Sequence, residues 1–178
     1  MTVGSEGASH SVGRDSVEPS LKMMGAKKHF SPRSHPAAGV HINTGQSTIV
    51  FLTVPTLNRQ RGIADHKTHQ ALIEAWQNAD AWSVGHYVVM PDHLHMFCAP
   101  QDLECEIESW IAYWKRQFRK LQPSAPRFQS RGFHHRLRRS DNYQAKIDYV
   151  LNNPVRAGLV ENADSWPFRG KLNDLVWK

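Results

Sequence analysis

The chain has 178 residues, which is enough for one domain with a sizeable core and too few for two domains of typical size. Its 22 lysines and arginines exceed its 16 aspartates and glutamates, and the formal charge of +6 suits a polyanionic partner without requiring one. Two cysteines, Cys98 and Cys105, exclude a disulfide framework, and no apolar run approaches the ~20 residues of a membrane helix. We therefore expect a cytoplasmic protein that has no export signal and no membrane partner.

Residues 1–46 are rich in serine, glycine, histidine and lysine and contain few clustered apolar side chains. Such a segment cannot bury enough surface to offset the entropy of ordering it. We expect 1–46 to be a flexible leader and 47–178 to be a single domain with a C-terminal tail. No role is assigned to the leader histidines His29, His35 and His41.

The first half of the domain contains three strand patterns and one helix pattern. A β-branched, uncharged run predicts a buried strand, helical spacing of apolar residues predicts a helix, and two apolar runs around a Pro-Asp turn predict a hairpin. The buried strand is Ser47–Pro55, and the helix runs from His66 to about Ala79. The two strands of the hairpin are Trp82–Met90 and His93–Ala99.

The second half is predicted as a helix over 103–121, a strand over 132–137 and a helix from Asn142 to about Asn152, stopped by Pro154. The helix over 103–121 has acidic residues in its first turn and basic residues in its last turn. This pattern fits the helix dipole, and contact with nucleic acid explains the basic end equally well. The order of elements predicts an α+β fold, an antiparallel sheet with helices on one face.

His93 and His95 are two residues apart on a predicted strand, so both rings leave the same face, while Leu94 and Met96 leave the other. The apolar face is expected in the core and the histidine face outward. Two adjacent imidazoles can bind one metal ion, although an isolated HxH is more often a pair of ordinary surface histidines.

The last predicted helix contains two tyrosines on opposite stripes. Tyr143 shares its stripe with Ile147 and Val150 and is expected to pack into the core, whereas Tyr149 shares the other stripe with Asn153. A tyrosine and an amide four residues apart can converge on one point. Spacing alone still favours a surface tyrosine and a helix-ending turn residue, because Asn153 precedes proline.

Ordered motifs carry more weight than spacing. YVVMPDHLHMFCAP (87–100), YQAKIDYVLNNPVRAGLV (143–160) and DSWPF (164–168) resemble the REP-associated tyrosine transposases, bacterial members of the HUH single-strand endonucleases. TVPTLNR (53–59) and FHHRLRRSDNY (133–143) extend the similarity, which runs from about Thr48 to Phe168. His134 departs from the pattern, since many relatives have an aromatic residue there.

The resemblance implies a ferredoxin-like antiparallel sheet with helices packed on it, the HUH endonuclease fold, with the histidine pair on a central strand and the tyrosine on a C-terminal helix. By this resemblance His93, His95 and Asn153 are expected to bind Mg²⁺ or Mn²⁺, and Tyr149 to be the nucleophile. The implied activity is cleavage and rejoining of single-stranded DNA at palindromic repeat hairpins through a 5′-phosphotyrosine. The implied setting is the bacterial cytoplasm, with nucleoid association when DNA is bound, as a monomer or a homodimer.

Basic residues near the predicted site are candidate DNA contacts: Arg127, Arg131, Arg136, Arg138, Arg139 and Lys146. For the arginines the alternative is a solvated loop, and for Lys146, which shares the stripe of Tyr149, an ordinary solvated helix lysine. Two other functions remain open. One is a metal-dependent hydrolase with a water nucleophile, and the other is a non-catalytic DNA-binding protein.

Overall fold

An antiparallel sheet organises residues 48–138 and 142–176, which are the part of the chain that the computed structural model describes. Its five strands in that part are β1 (Val50–Pro55), β2 (Trp82–Met90), β3 (His93–Pro100), β4 (Phe133–Arg136) and β5 (Arg169–Lys171). They are arranged in the order β4-β1-β3-β2-β5, and every neighbouring pair is antiparallel. The predicted α+β class and antiparallel sheet are confirmed, and β3 is the central strand.

The α-helices of the described residues are α1 (His66–Gln77), α2 (Ile107–Leu121), α3 (Tyr143–Leu151) and the short α4 (Asn153–Arg156). Short 3-10 turns cover Leu57–Arg59 and Ala163–Ser165. α2 begins four residues later than predicted, and the carboxylate of Asp102 accepts the backbone N–H of Glu104 in the turn before it. α4 and β5 were not predicted, because four- and three-residue elements carry no periodicity.

One face of the sheet is covered by α1 and α2, which contact each other. The strands supply Leu52, Leu94 and Met96 to this core, and the helices add large aromatic rings. Trp82 and Trp110 stack with ring centroids 5.9 Å apart, and their indole N–H groups donate to the carbonyls of Cys105 and Ala79. Buried aromatic area of this kind is a main source of stability in a domain of this size.

The opposite face is covered by α3, so the expectation of helices on one face is wrong. Ile147 and Val150 of α3 form a second core cluster with Val88, Met90 and Phe97 of the sheet. The sequence-based expectation treated the far face as open. β2 and β3 carry apolar side chains on both faces of the sheet, so each face must be covered by helices.

The predicted leader, 1–46, lies outside the described residues. Of the helices in 48–138 and 142–176, none has the length and apolar character needed to cross a membrane. Both cysteines are free.

Candidate active site

The histidine pair begins the central strand of the sheet. His95 lies between Thr53 of β1 and Val88 of β2, and His93 lies opposite Pro55 and Met90. Pairing on both sides fixes the backbone of β3, and strand alternation sends both rings to the face that α3 covers. The prediction that they share a face is confirmed. His95 is less open than expected, because its ring stacks on Phe51 with centroids 5.4 Å apart.

The two rings point their Nε2 atoms at each other. These atoms are 3.1 Å apart, and the ring planes are 82° from parallel. Each Nδ1 atom has its own partner: Asp92 Oδ1 is 2.7 Å from Nδ1 of His93, and Thr53 Oγ1 is 2.8 Å from Nδ1 of His95. Histidine metal ligands usually have a hydrogen-bond partner on one ring nitrogen, and here Nδ1 has the partner while both Nε2 atoms face one point.

The spacing of the Nε2 atoms fits a shared metal ion. Two nitrogen ligands about 2.1 Å from a metal and at right angles to one another are ~3.0 Å apart. The observed 3.1 Å is close to this value. The Thr53 hydroxyl either donates or accepts a hydrogen bond, so it accommodates either tautomer of His95.

The electrostatics of the pair also favour metal binding. Burial lowers the pKa of His95 to about 3, and the charges of His93 and Arg59 act in the same direction, so this ring is neutral at physiological pH. Burial opposes ionisation of Asp92, yet the hydrogen bond with His93 and the charges of His93 and Arg59 hold its pKa below the ordinary value. His95 is therefore in the neutral form that metal ligation requires.

Hydrogen bonds hold the loop after β1 against the turn that carries Asp92. The backbone N–H and the hydroxyl of Thr56 both donate to the Asp92 carbonyl, and the N–H of Gly62 donates to the Pro91 carbonyl. Within this loop Asn58 and Arg59 both have φ of 54°, a left-handed conformation that costs side-chain-bearing residues about 1 kcal/mol or more. The conformation brings the Arg59 guanidinium 3.5 Å from Asp92 Oδ2.

The two tyrosines of α3 lie on opposite sides of the helix, as predicted. Tyr143 is partly buried against Phe97, with ring centroids 5.3 Å apart, and burial raises its pKa to about 12. Tyr149 is 59% exposed. The helix that carries it packs on the same face of the sheet as the histidine pair. Tyr149 is therefore the accessible phenol of this segment.

The helix that carries Tyr149 is interrupted just before Asn153. α3 ends at Leu151, Asn152 serves as its C-cap, and Asn153 starts α4 with Pro154 behind it. The amide oxygen Oδ1 of Asn153 lies 3.4 Å from a guanidinium nitrogen of Arg156. The carbon Cζ of the same guanidinium lies 4.1 Å from the centroid of the Tyr149 ring. The structure thus joins Tyr149 and Asn153 through Arg156 rather than by direct stacking along a helix.

Within 48–138 and 142–176, no set of three histidine, cysteine, aspartate or glutamate side chains is arranged to hold a metal ion. The only described hydrogen bond of the Asn153 side chain goes to Arg156, not to the histidine pair.

The predicted DNA contacts are spread over two sides of the sheet. Arg127 and Arg131 are exposed in the loop between α2 and β4, and Arg138 is exposed just after β4. Arg136 lies opposite Val50, whose side chain belongs to the α1 and α2 core, so Arg136 leaves the face opposite to the histidine pair. Lys146 is partly buried on α3, and Arg139 lies outside the described residues.

Phe133 is a candidate site residue that sequence reasoning did not single out. Its side chain is 62% exposed, and it lies opposite Thr53, which in turn lies opposite His95. The alternation of β4 was the signal that could have found it. An exposed aromatic ring in the same cross-strand row as a candidate metal site is a natural stacking surface for an unpaired base.

Thr53, Asp92, Arg59 and Arg156 were also missed as individual site residues. Asp92 directly precedes His93 in the chain, and a carboxylate next to a candidate metal ligand could have identified it as a site residue. Thr53 is brought to His95 by strand pairing across 42 residues, which spacing along the sequence does not reveal.

Comparison with known proteins gives two curated relatives. Over 87 residues the chain is 28% identical to a REP-associated tyrosine transposase of Escherichia coli, covering 49% of this chain and 53% of that protein. Over 101 residues it is 28% identical to a putative REP-associated tyrosine transposase of Haemophilus influenzae, covering 49% and 57%. The chain resembles the REP-associated tyrosine transposases. The match spans little more than half the length of either relative, and no family model matches the chain.

The solved structure of a REP-associated tyrosine transposase bound to a REP hairpin has the same fold. The TM-score is 0.62 at 24% sequence identity, and the match covers 74% of this chain and 81% of that one. This likeness confirms the predicted α+β fold, an antiparallel sheet with helices packed on it.

Proposed function

We propose that this protein is a metal-dependent transposase that cleaves and rejoins single-stranded DNA through a covalent bond to Tyr149. The observation that carries the proposal is the pair of Nε2 atoms 3.1 Å apart, each ring held from behind by a hydrogen-bond partner. His93, His95 and the amide of Asn153 would hold Mg²⁺ or Mn²⁺. The role of Asn153 is supported by the family resemblance.

In the proposed reaction the phenol oxygen of Tyr149 attacks the phosphorus of the scissile phosphate. The Tyr149 oxygen–phosphorus bond forms as the phenol loses its proton, the bond from phosphorus to the 3′-oxygen breaks, and the leaving 3′-oxygen takes up a proton to become a 3′-hydroxyl. The product is a 5′-phosphotyrosine, which keeps the phosphodiester energy. Attack by the 3′-hydroxyl of another strand releases the phenol and rejoins the DNA. A bound divalent cation would polarise the phosphoryl group and neutralise charge on its oxygens.

The proposed substrate is a hairpin of a palindromic repeat. A related protein of the same fold is described as bound to a REP hairpin, and the charge of +6 suits a nucleic acid. The exposed Phe133 ring supports a single-stranded segment, because unpaired bases stack on aromatic side chains. Basic residues of the loop before β4 would contact the backbone.

Adduct formation tests the nucleophile. Full-length protein is incubated with Mn²⁺ and end-labelled hairpin DNA, and protein-linked label is resolved on a denaturing gel. We expect Tyr149→Phe to abolish the adduct with little change in melting temperature, because its ring is exposed. Tyr143→Phe should keep the adduct, since that ring packs against Phe97.

Each rival function predicts a different gel. A hydrolase with a water nucleophile would cut the DNA with Tyr149→Phe and leave no adduct with either protein. A non-catalytic DNA-binding protein would shift the DNA without cutting it. An adduct mapped by mass spectrometry to Tyr143 would contradict the assignment of Tyr149.

A further inference from the structure

Arg156 contacts both residues of the proposed site that lie beyond the sheet. The carbon Cζ of its guanidinium lies 4.1 Å from the centroid of the Tyr149 ring, and one of its nitrogens lies 3.4 Å from Oδ1 of Asn153. We propose that Arg156 is a positioning residue that holds the Tyr149 ring and the Asn153 amide in a fixed relation. The inference rests on the proposed function and adds to it a residue that neither spacing nor motif had assigned a role.

Solvent exposure leaves the Tyr149 ring in need of a partner that fixes its orientation. Its side chain is 59% exposed on the solvent side of α3. Exposed side chains change rotamer within nanoseconds. Attack on phosphorus requires the reacting oxygen to be aligned and close to its target. A side chain held over the ring reduces the number of unproductive orientations.

Arg156 lies seven residues after Tyr149, and its backbone N–H donates to the Asn152 carbonyl as in a helix. The Asn152 amide donates to the Asp148 carbonyl, and Pro154 has no N–H to continue the α3 hydrogen bonds. In an unbroken helix the backbones of residues 149 and 156 would be ~10.5 Å apart along the axis. Helical side chains lean toward the N-terminus, which directs Arg156 back over Tyr149 and past Asn153.

The chemistry favours arginine for this task. A planar guanidinium can stack on an aromatic face while its edge donates hydrogen bonds, whereas the lysine ammonium is a point charge. The two described contacts of Arg156 use one face and one edge of the group. Lysine would keep the charge but could not make both contacts in the same geometry.

The chain contains a matched control pair. The Arg116 guanidinium lies 5.6 Å from the centroid of the Tyr113 ring, and both residues are on α2. This helix covers the face of the sheet opposite to the histidine pair. The pair repeats the cation–ring contact at a longer distance and away from the proposed site.

The first measurement uses neither DNA nor metal. Ring signals of the four tyrosines are recorded by carbon–proton NMR on full-length protein labelled at tyrosine, and are assigned with Tyr→Phe variants. Arg156→Gln should move the Tyr149 signals toward those of free tyrosine and leave Tyr143 unchanged. Arg116→Gln should affect Tyr113 alone. Unchanged Tyr149 signals in Arg156→Gln would overturn the proposal.

The second measurement separates rate from affinity. Arg156→Gln should slow single-turnover adduct formation by about 10-fold to 100-fold, the range expected from loss of alignment. Its affinity for the hairpin, measured in the background of Tyr149→Phe, should stay within about twofold of the same protein with Arg156 intact. Arg156→Lys should recover part of the rate, and Arg116→Gln should match wild type.

A weakened affinity with an unchanged rate would make Arg156 a phosphate contact and contradict the proposal. An unchanged rate together with unchanged affinity would contradict it as well. If wild-type protein forms no adduct, the proposed function fails. The NMR comparison still decides, in that case, whether Arg156 holds the Tyr149 ring.

Discussion

At the scale of single residues, the Thr53 hydroxyl links strand pairing to the candidate metal site. Thr53 Oγ1 lies 2.8 Å from Nδ1 of His95, and valine has nearly the same shape without a hydrogen-bonding group. We expect Thr53→Val to weaken Mn²⁺ binding by about 10-fold to 100-fold, the usual effect of removing a partner behind a histidine ligand. Titration calorimetry on the full-length protein measures this affinity.

Thr48→Val is the matched control for that substitution. Within the described residues the buried Oγ1 of Thr48 has no hydrogen-bond partner, so a methyl group should be tolerated or mildly stabilising. Its Mn²⁺ affinity should equal that of wild type. Equal affinity in Thr53→Val would show that His95 needs no partner on Nδ1, or that it does not bind the metal.

The site residues differ in how far the sequence could predict them. Strand alternation was enough to place His93 and His95 on one face, and helical phase was enough to separate Tyr143 from Tyr149. The stack of His95 on Phe51 and its contact with Thr53 depend on the register between β1 and β3. Register across 42 residues is set by the whole sheet, so local patterns do not contain it.

At the scale of elements, long periodic segments were predicted well and junctions were not. The hairpin strands and α1 fall within about two residues of the predicted bounds, because each has a strong apolar repeat. The helix was predicted as one element to about Asn152, whereas the structure ends α3 at Leu151 and starts the short α4 at Asn153. Pro154 indicated that the helix would end, but the direction of α4 after the break depends on its packing against β2.

The start of α1 depends on one carboxylate. Asp65 accepts the backbone N–H groups of Lys67 and Thr68 at 3.0 and 3.1 Å, and alanine cannot make either bond. We expect Asp65→Ala to lower the free energy of unfolding by about 1 kcal/mol, the usual contribution of an N-cap. Urea denaturation at pH 7 measures it, with the exposed Asp80→Ala as control.

The same residue should make stability depend on pH. Burial would raise the pKa of Asp65, but hydrogen bonds from Thr68 and Lys67 and the charge of His66 hold this pKa below its ordinary value. A depressed folded-state pKa adds stability above the unfolded pKa, and this stability is lost as pH falls through the folded pKa. Asp65→Asn should therefore lose this part of the acid dependence below about pH 5. An acid profile identical to wild type would show that the charge has no role in the cap.

At the scale of the whole molecule, the basic residues divide into two groups. Lys115 and Arg119 of α2 donate to backbone carbonyls of the loop that follows, at Gln129, Ser130, Pro123 and Ala125. These contacts give Lys115 and Arg119 a structural role in holding the loop on α2. The arginines carried by that loop remain exposed, as does Arg138 after β4.

This division predicts how salt affects DNA binding. Each phosphate contact to a single strand contributes ~0.7 to the slope of log affinity against log salt concentration, because counterions are released on binding. Arg131→Gln combined with Arg138→Gln should lower the slope by about 1.4 if each arginine contacts one phosphate. Lys120→Gln, which removes an exposed charge from α2 on the far face of the sheet, should leave the slope unchanged.

Fluorescence anisotropy with a labelled hairpin, using Tyr149→Phe to prevent cleavage, measures these slopes between 50 and 200 mM salt, a range of about fourfold. An equal decrease in slope per charge removed, in the double variant and in Lys120→Gln, would mean that DNA responds to net charge alone. An unchanged slope in the double variant would show that Arg131 and Arg138, which flank β4, do not contact the DNA.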